Sequence, residues 1–170
     1  MRMRIAHVGF VVSLVLLGTS HVTIAGQQKY GVTVLTVKAP ALAKVKTYVW
    51  SGSRQSFDKD VDALIVAAVD RELAARRFTK VSSGHSDVVV AYASLSRTDV
   101  DLKAKPSASG DRPAYAVGSL VVDLSDSADR QVLFRVRMDT PIERNPATIG
   151  ATIDAAVAAM FEKYPTPSKR

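Results

Sequence analysis

The chain of 170 residues has no cysteine. That excludes disulfide staples, thiol catalysis and an acylated N-terminal cysteine, and a chain without thiols avoids mispairing in an oxidising compartment. Histidine is nearly as scarce, with His7, His21 and His85 its only examples. His85 sits among Ser83, Gly84 and Ser86, a turn composition that reads as a surface loop. One histidine in the body of the chain and no thiol argue against zinc or copper sites of the ordinary kinds. The sequence also lacks G-x-x-x-x-G-K-[ST], G-x-G-x-x-G and G-x-S-x-G, the signatures of phosphate loops, dinucleotide folds and nucleophile elbows. Asp58-Lys59-Asp60-Val61-Asp62 resembles the opening of a calcium loop, but Ala63 stands where the glycine is needed and Val69 where the glutamate is. It reads as a helix start. No cofactor is implied. Asp87, Asp123 and Asp139 lie near strand ends, and only a structure decides whether any two carboxylates converge for hydrolysis.

What is present begins at the N-terminus. Arg2 and Arg4 precede the apolar run Ile5 to Leu17, about 13 residues and too short for a bilayer span of about 20. Thr23-Ile24-Ala25 then offers small residues before Gly26, so cleavage is expected between Ala25 and Gly26. The expected organisation is a signal peptide over 1–25, one α+β domain over 26–165 and a disordered tail over 166–170. A short buried strand or an uncleaved anchor is the alternative for the first segment. The mature chain is expected to be soluble, without a membrane span, and periplasmic or secreted in a Gram-negative envelope. Its net charge falls from +7 to +5 once Arg2 and Arg4 leave. The basic residues are scattered, no nucleic-acid signature appears, and export argues against a nucleic-acid partner.

Gly31 to Val37 and Lys46 to Trp50 carry strand-forming residues. Val61, Leu64, Ile65, Ala68, Val69 and Leu73 recur at helical spacing, with Asp58 and Asp60 at the start and Arg76, Arg77 and Lys80 at the end. Asp87 to Tyr92 reads as a central strand running on towards Leu95 or Leu102. Lys103 to Pro113 reads as a polar, mobile loop. Tyr115 to Leu124 and Val132 to Asp139 alternate and form a hairpin. Val132, Phe134, Val136 and Met138 are expected to face the core, with Leu133, Arg135, Arg137 and Asp139 facing away. Gly118 marks a bulge or a close approach. Asn145-Pro146 opens a second helix with Ile149, Ile153, Val157, Met160, Phe161 and Tyr164 on one stripe. The expected fold is a two-layer α+β sandwich, a mainly antiparallel sheet with two helices packed on one face.

Several segments in this order resemble a known family. They are Lys46-Thr47-Tyr48-Val49-Trp50, Asp70-Arg71-Glu72-Leu73-Ala74-Ala75-Arg76, Ser86 to Tyr92, Tyr115 to Leu124 and Phe161-Glu162-Lys163-Tyr164-Pro165. Together, over about Val32 to Pro165, they are similar to the domain-of-unknown-function 4136 family of bacterial envelope proteins. The resemblance implies fold and compartment, and no activity. Many relatives are lipoproteins, whereas this cysteine-free chain is not expected to be anchored that way. The family's usual glycine after the first helix is replaced here by Arg77, and its hairpin Trp-Arg-Gly by Phe134-Arg135-Val136. A left-handed Arg77 would cost roughly 1 kcal/mol relative to glycine, so a different helix ending is expected.

Arg135 and Arg137 share a sheet face with Leu133 and Val121, a basic and partly apolar surface suited to an anionic partner or simply a solvated one. Tyr48 and Trp50 share another strand face, which fits burial against a helix better than a ligand platform. The leading functional expectation is a non-catalytic envelope module that binds another protein through the open sheet face or an edge strand. Arg135, Arg137 and Trp50 are its candidate contacts, and its oligomeric state is open. The alternative is a small-molecule or lipid carrier with a cavity among Leu64, Val69, Val157, Met160, Phe134 and Val136. A carboxylate hydrolase ranks third.

Overall fold

In the computed structural model, residues 30–52, 58–82, 85–142, 145 and 147–165 are described. The predicted signal segment, its Ala25–Gly26 junction and the 166–170 tail lie outside the described residues. The elements run β1 (Gly31–Val37), α1 (Ala39–Leu42), β2 (Thr47–Trp50), α2 (Lys59–Ala75), β3 (Thr79–Lys80), β4 (Val88–Val100), β5 (Ala114–Asp126), β6 (Val132–Pro141) and α3 (Ile149–Phe161).

The strands form one six-stranded sheet in the order β1-β6-β5-β4-β2-β3. Pairing is antiparallel from β1 through β4, but β2 runs parallel to both β4 and β3. The sheet is therefore mixed, and three helices accompany it. This corrects the expectation of a mainly antiparallel sheet with two helices. The cause is α2. Its 17 residues span about 25 Å at 1.5 Å per residue and carry the chain back to the end of the sheet where β2 began, so the following strands run parallel to β2. Strand β3 has only two residues, both exposed, and so leaves no hydrophobic pattern to read.

Helix α2 starts where Asp58 Oδ1 accepts the N–H groups of Asp60 at 2.9 Å and Val61 at 3.3 Å. Asp60 and Asp62 then place negative charge at the positive end of the dipole. Its far end closes as a Schellman motif. The Arg77 N–H donates to Ala74 O at 2.9 Å and the Phe78 N–H to Leu73 O at 3.0 Å. Arg77 takes φ 66°, so the left-handed ending persists without the family's glycine, and the expectation of a different ending is corrected. The geometry holds because Leu73 and Phe78 meet in the core on either side of Arg77. Helix α3 begins later than the Asn145-Pro146 pair suggested. Thr148 is its N-cap residue, while Asn145 O accepts from Thr148 and Ile149 in a turn ahead of the helix.

The core lies between the two long helices and one face of the sheet. Leu73 and Val69 of α2, Val157, Met160 and Phe161 of α3, and Val88, Val90, Val122, Leu124, Phe134 and Val136 of the strands are all at or below 1 % exposure. Each such side chain contributes about 1.5–3 kcal/mol of apolar burial. Five of the six residues named for a carrier cavity are in this packed set, and Leu64 lies against it. Leu133 departs from its expected outward position. A register shift opposite Leu124 and Ser125 turns it inward to 3 % exposure, on the flank where α1 meets β6. Gly118 is a close-approach site, since a Cβ there would sit 3.0 Å from Ile142 Cγ2. The loop after β4 is tied by its own hydrogen bonds, with Asp101 N–H on Pro113 O at 2.8 Å and Arg112 Nη1 on Leu102 O and Ala104 O at 2.6 Å each. No described helix is long and apolar enough to cross a membrane.

Candidate functional site

The sheet face away from α2 and α3 carries most of the paired charge. Alternation along β4, β5 and β6 brings Arg97, Asp99, Ser119, Asp123, Arg135, Arg137 and Asp139 to it. Arg135 grips Asp123 across the hairpin with two bonds, Nε to Oδ1 at 2.6 Å and Nη2 to Oδ2 at 2.7 Å. Arg137 Nη2 donates to Asp139 Oδ1 at 2.8 Å. Its Nε lies 2.8 Å from Asp139 Oδ2 but off the line of a hydrogen bond.

Asp139 is the hub of a second network and is only 8 % exposed. It also accepts from Ser119 Oγ and from Arg97 Nη1 at 3.2 Å. Arg97 reaches on to Asp99 through Nε at 2.9 Å and Nη2 at 3.3 Å, and Asp99 accepts from the Tyr30 hydroxyl at 3.1 Å. The Tyr30 and Tyr115 hydroxyls bond one another. Burial pushes the Asp139 carboxyl up, but hydrogen bonds from Arg137, Ser119 and Arg97 outweigh it and hold the group below the usual carboxylate range. The Tyr115 hydroxyl, burial and Asp99 hold the Tyr30 phenol well above its ordinary value.

Sequence reasoning placed Arg135 and Arg137 together, and the structure keeps them on one face, each already holding a carboxylate. It missed Arg97, Asp99 and Ser119. The signal was available: Arg97 and Asp99 continue the alternation of Tyr92-to-Leu95 into a segment that the composition left ambiguous between strand and loop.

Trp50 lies on the other side of the sheet. Its Nε1–H donates to Asp70 Oδ1 of α2 at 2.8 Å, the Tyr48 hydroxyl donates to the same oxygen at 2.7 Å, and Lys80 Nζ holds Oδ2 at 2.7 Å. Tyr92 meets the indole edge-on, with centroids 6.2 Å apart. Burial raises the Asp70 pKa, and bonds from Lys80, Tyr48 and Trp50 bring it below the ordinary value. Trp50 is thus one of three donors clamping β2 and β3 to α2. Asp70 as their common acceptor was not legible, because a helical Asp gives no sign of what packs over it.

Two concavities flank the core. One of about 380 Å³ is bordered by Lys44, His85, Ser86, Asp87 and Ser127, and another of about 420 Å³ by Met138, Thr140, Thr148 and Thr152. In the first, Asp87 Oδ2 is taken by the N–H groups of Lys46 and Thr47 and by the Thr47 hydroxyl at 2.8–3.0 Å. In the second, the three threonine hydroxyls donate to backbone carbonyls. Among the described residues no three His, Asp or Glu side chains come together to hold a metal.

The remaining feature is apolar exposure on β1, which ends the sheet, and on β4. On β1, Val34, Leu35 and Val37 are 40 %, 51 % and 48 % exposed; on the far half of β4 and just past it, Leu95, Val100 and Leu102 are 68 %, 48 % and 75 % exposed.

A family model described as "Domain of unknown function (DUF4136)" matches residues 34–166. The chain belongs to this family. A comparison with curated proteins gives no match. Among solved structures, a PDZ domain protein from Parabacteroides distasonis is similar over 82 % of this chain at 14 % identity and TM-score 0.56, and this chain spans 36 % of that protein's length. The PelC dodecamer from Paraburkholderia phytofirmans is similar over 79 % of this chain and 98 % of its own, at 13 % identity and TM-score 0.53. At such identities the likeness is one of fold.

Proposed function

We propose that this DUF4136 member is an exported envelope protein that acts by binding another protein rather than by catalysis. The observation that carries the reading is apolar exposure on β1, the last strand of the sheet among the described residues, and along the outer half of β4, where Val34, Leu35, Val37, Leu95 and Val100 stand in water. An edge of that kind is a template for another chain. Asp70, Asp87, Asp123 and Asp139 give no support to a hydrolase, since each holds the donors that fix it. Arg135 and Arg137 take the role of rim contacts, as neutralised pairs that orient a partner without demanding that it be anionic. Trp50 is the weakest of the three contacts, because its N–H is already bound to Asp70. The charged and apolar segment at residues 1–17 and the small residues before Gly26 support export to the periplasm or beyond. PelC, similar in fold, is a dodecamer, which supports a fold that builds assemblies from its surfaces.

The test is to isolate the protein from its host's envelope fraction carrying a photo-crosslinking residue at position 35 or 95. An intact mass beginning at Gly26 and a crosslinked protein partner are expected. A mass beginning at Met1, or crosslinks to no protein at either position, refutes the reading.

A further inference from the structure

The loop that joins β4 to β5 has no part in the protein-binding reading. We infer that its tip rests on an anionic bilayer surface, with Leu102 inserted among the lipid chains and Lys103 and Lys105 on the phosphate headgroups. The inference goes beyond the protein-binding role and does not depend on it.

Strands β4 and β5 pair without a break from Val88↔Asp126 to Val100↔Ala114. Strand β6 accompanies β5 only as far as Val117↔Pro141, and the Ile142 N–H on Ala116 O follows at 3.0 Å. The loop from Asp101 to Pro113 closes this long hairpin, and every residue from Lys105 to Ala114 is exposed. At 75 % exposure, Leu102 is the most exposed large apolar side chain among the described residues.

The loop holds that leucine out by its own hydrogen bonds. Asp101 Oδ1 accepts the N–H groups of Lys103 at 2.9 Å and Ala104 at 3.2 Å. Arg112 Nη1 donates to the carbonyls of Leu102 and Ala104 at 2.6 Å each. Farther out, the Ser107 N–H meets Asp111 O at 2.7 Å and the Gly110 N–H meets Ser107 O at 2.9 Å. Pro106 and Pro113 have no N–H to satisfy. Taking an unpaired backbone group out of water is costly. Here the groups next to Leu102 are paired before any contact is made, so the tip can leave water at little backbone cost.

Charge and area together select the partner. The loop carries Lys103, Lys105 and Arg112 against Asp101 and Asp111. Both carboxylates are engaged within the loop, Asp101 as above and Asp111 Oδ2 by the Ser109 hydroxyl at 2.8 Å. None of the three cations forms an ion pair with another described residue. A single leucine falls far short of the ~800 Å² per partner of a stable protein interface. An interfacial contact needs only an apolar group about 5–10 Å deep, and lysine stems reach back to keep their ammonium groups at the headgroups. Burying one leucine strengthens such a contact about tenfold or more. Each lysine near an anionic surface adds about fivefold. The product lies below the roughly 10⁴ M⁻¹ of one myristoyl chain. The contact is therefore reversible, and it orients the protein on the surface without anchoring it.

The test uses protein purified from its host's envelope fraction and vesicles of phosphatidylcholine, alone or with an equal part of phosphatidylglycerol. The chain has no cysteine, so Leu102→Cys and a control, Ala128→Cys in the β5–β6 turn, each take one environment-sensitive fluorophore. Both positions are exposed. A blue shift at position 102 but not at 128 is expected with phosphatidylglycerol, and high salt is expected to abolish it. In co-sedimentation, Leu102→Ser is expected to lower partition about tenfold. The double variant Lys103→Glu, Lys105→Glu is expected to lower it at least as much, and both retain the wild-type circular dichroism spectrum. No shift at 102, equal shifts at both positions, equal binding to phosphatidylcholine alone or a Leu102→Ser protein that partitions like the wild type overturns the inference. A protein crosslinked through position 102 without vesicle binding overturns it too. Crosslinks at positions 35 and 95 are unaffected by any of these results, so the protein-binding reading stands or falls separately.

Discussion

Replacing Arg77 with glycine is expected to stabilise the protein by about 0.5–1 kcal/mol. Arg77 holds φ 66° at the C-terminal end of α2, a conformation that costs a residue with a Cβ about 1–2 kcal/mol. Glycine removes that cost but adds about 0.5–1 kcal/mol of backbone entropy lost on folding. The difference is favourable because the side chain gives up little: Arg77 is exposed, and no hydrogen bond or ion pair to another described residue holds its guanidinium. The two motif bonds use the Arg77 and Phe78 backbone N–H groups, which the substitution leaves in place. For a domain of this size, 1 kcal/mol moves the melting temperature by roughly 2–4 °C. Urea unfolding followed by circular dichroism measures the change, with an unchanged m-value showing that stability alone has moved. Arg77→Ala is the control, since it keeps the Cβ and is expected to gain nothing. If Arg77→Gly matches the wild type or falls below it, or if alanine gains as much as glycine, then the left-handed ending is not the source of strain argued here.

Asp70→Ala is expected to cost about 2–4 kcal/mol in the same urea assay, because it strands the Tyr48 hydroxyl and the Trp50 N–H at about 1–3 kcal/mol each. A loss below 1 kcal/mol shows that water replaces the carboxylate there. Stability is also expected to fall in acid. Asp70, Asp87 and Asp139 all have folded pKa values lowered from 3.8, so their stabilisation is complete above that value and drains away as pH drops through the folded values. Asp139→Asn is expected to flatten that acid limb in unfolding curves taken between pH 6 and pH 2, and an unchanged slope argues against the hub role. Gly118→Val is expected to destabilise by about 1–3 kcal/mol through its clash with Ile142; a neutral result in thermal melts means that Ile142 swings aside freely.

Much of the fold was written locally. The alternation of Phe134 to Asp139 set the β6 faces, and the spacing of Val61 to Leu73 set the buried stripe of α2, because periodicity records which side of an element meets the core. Asp58 was readable as a cap because its bonds run to its own next three residues. By itself, the sequence also determined the absence of cysteine, the charged-then-apolar pattern of its first 17 residues and the family likeness, all of which depend only on which residues stand in which order. The tertiary structure alone decided that β2 runs parallel to its neighbours, that Leu133 turns inward, that Asp70 gathers Tyr48, Trp50 and Lys80, and that Arg97 and Asp139 meet across 42 residues. Strand direction follows from where a 17-residue helix delivers the chain, and long-range hydrogen bonds join residues whose neighbours in sequence say nothing about one another. The exposed apolar side chains belong to the same class. Val34 and Leu95 look like core residues in the sequence, and only the finished sheet, with β1 last in order and the face of Leu95 turned away from the helices, leaves them facing water.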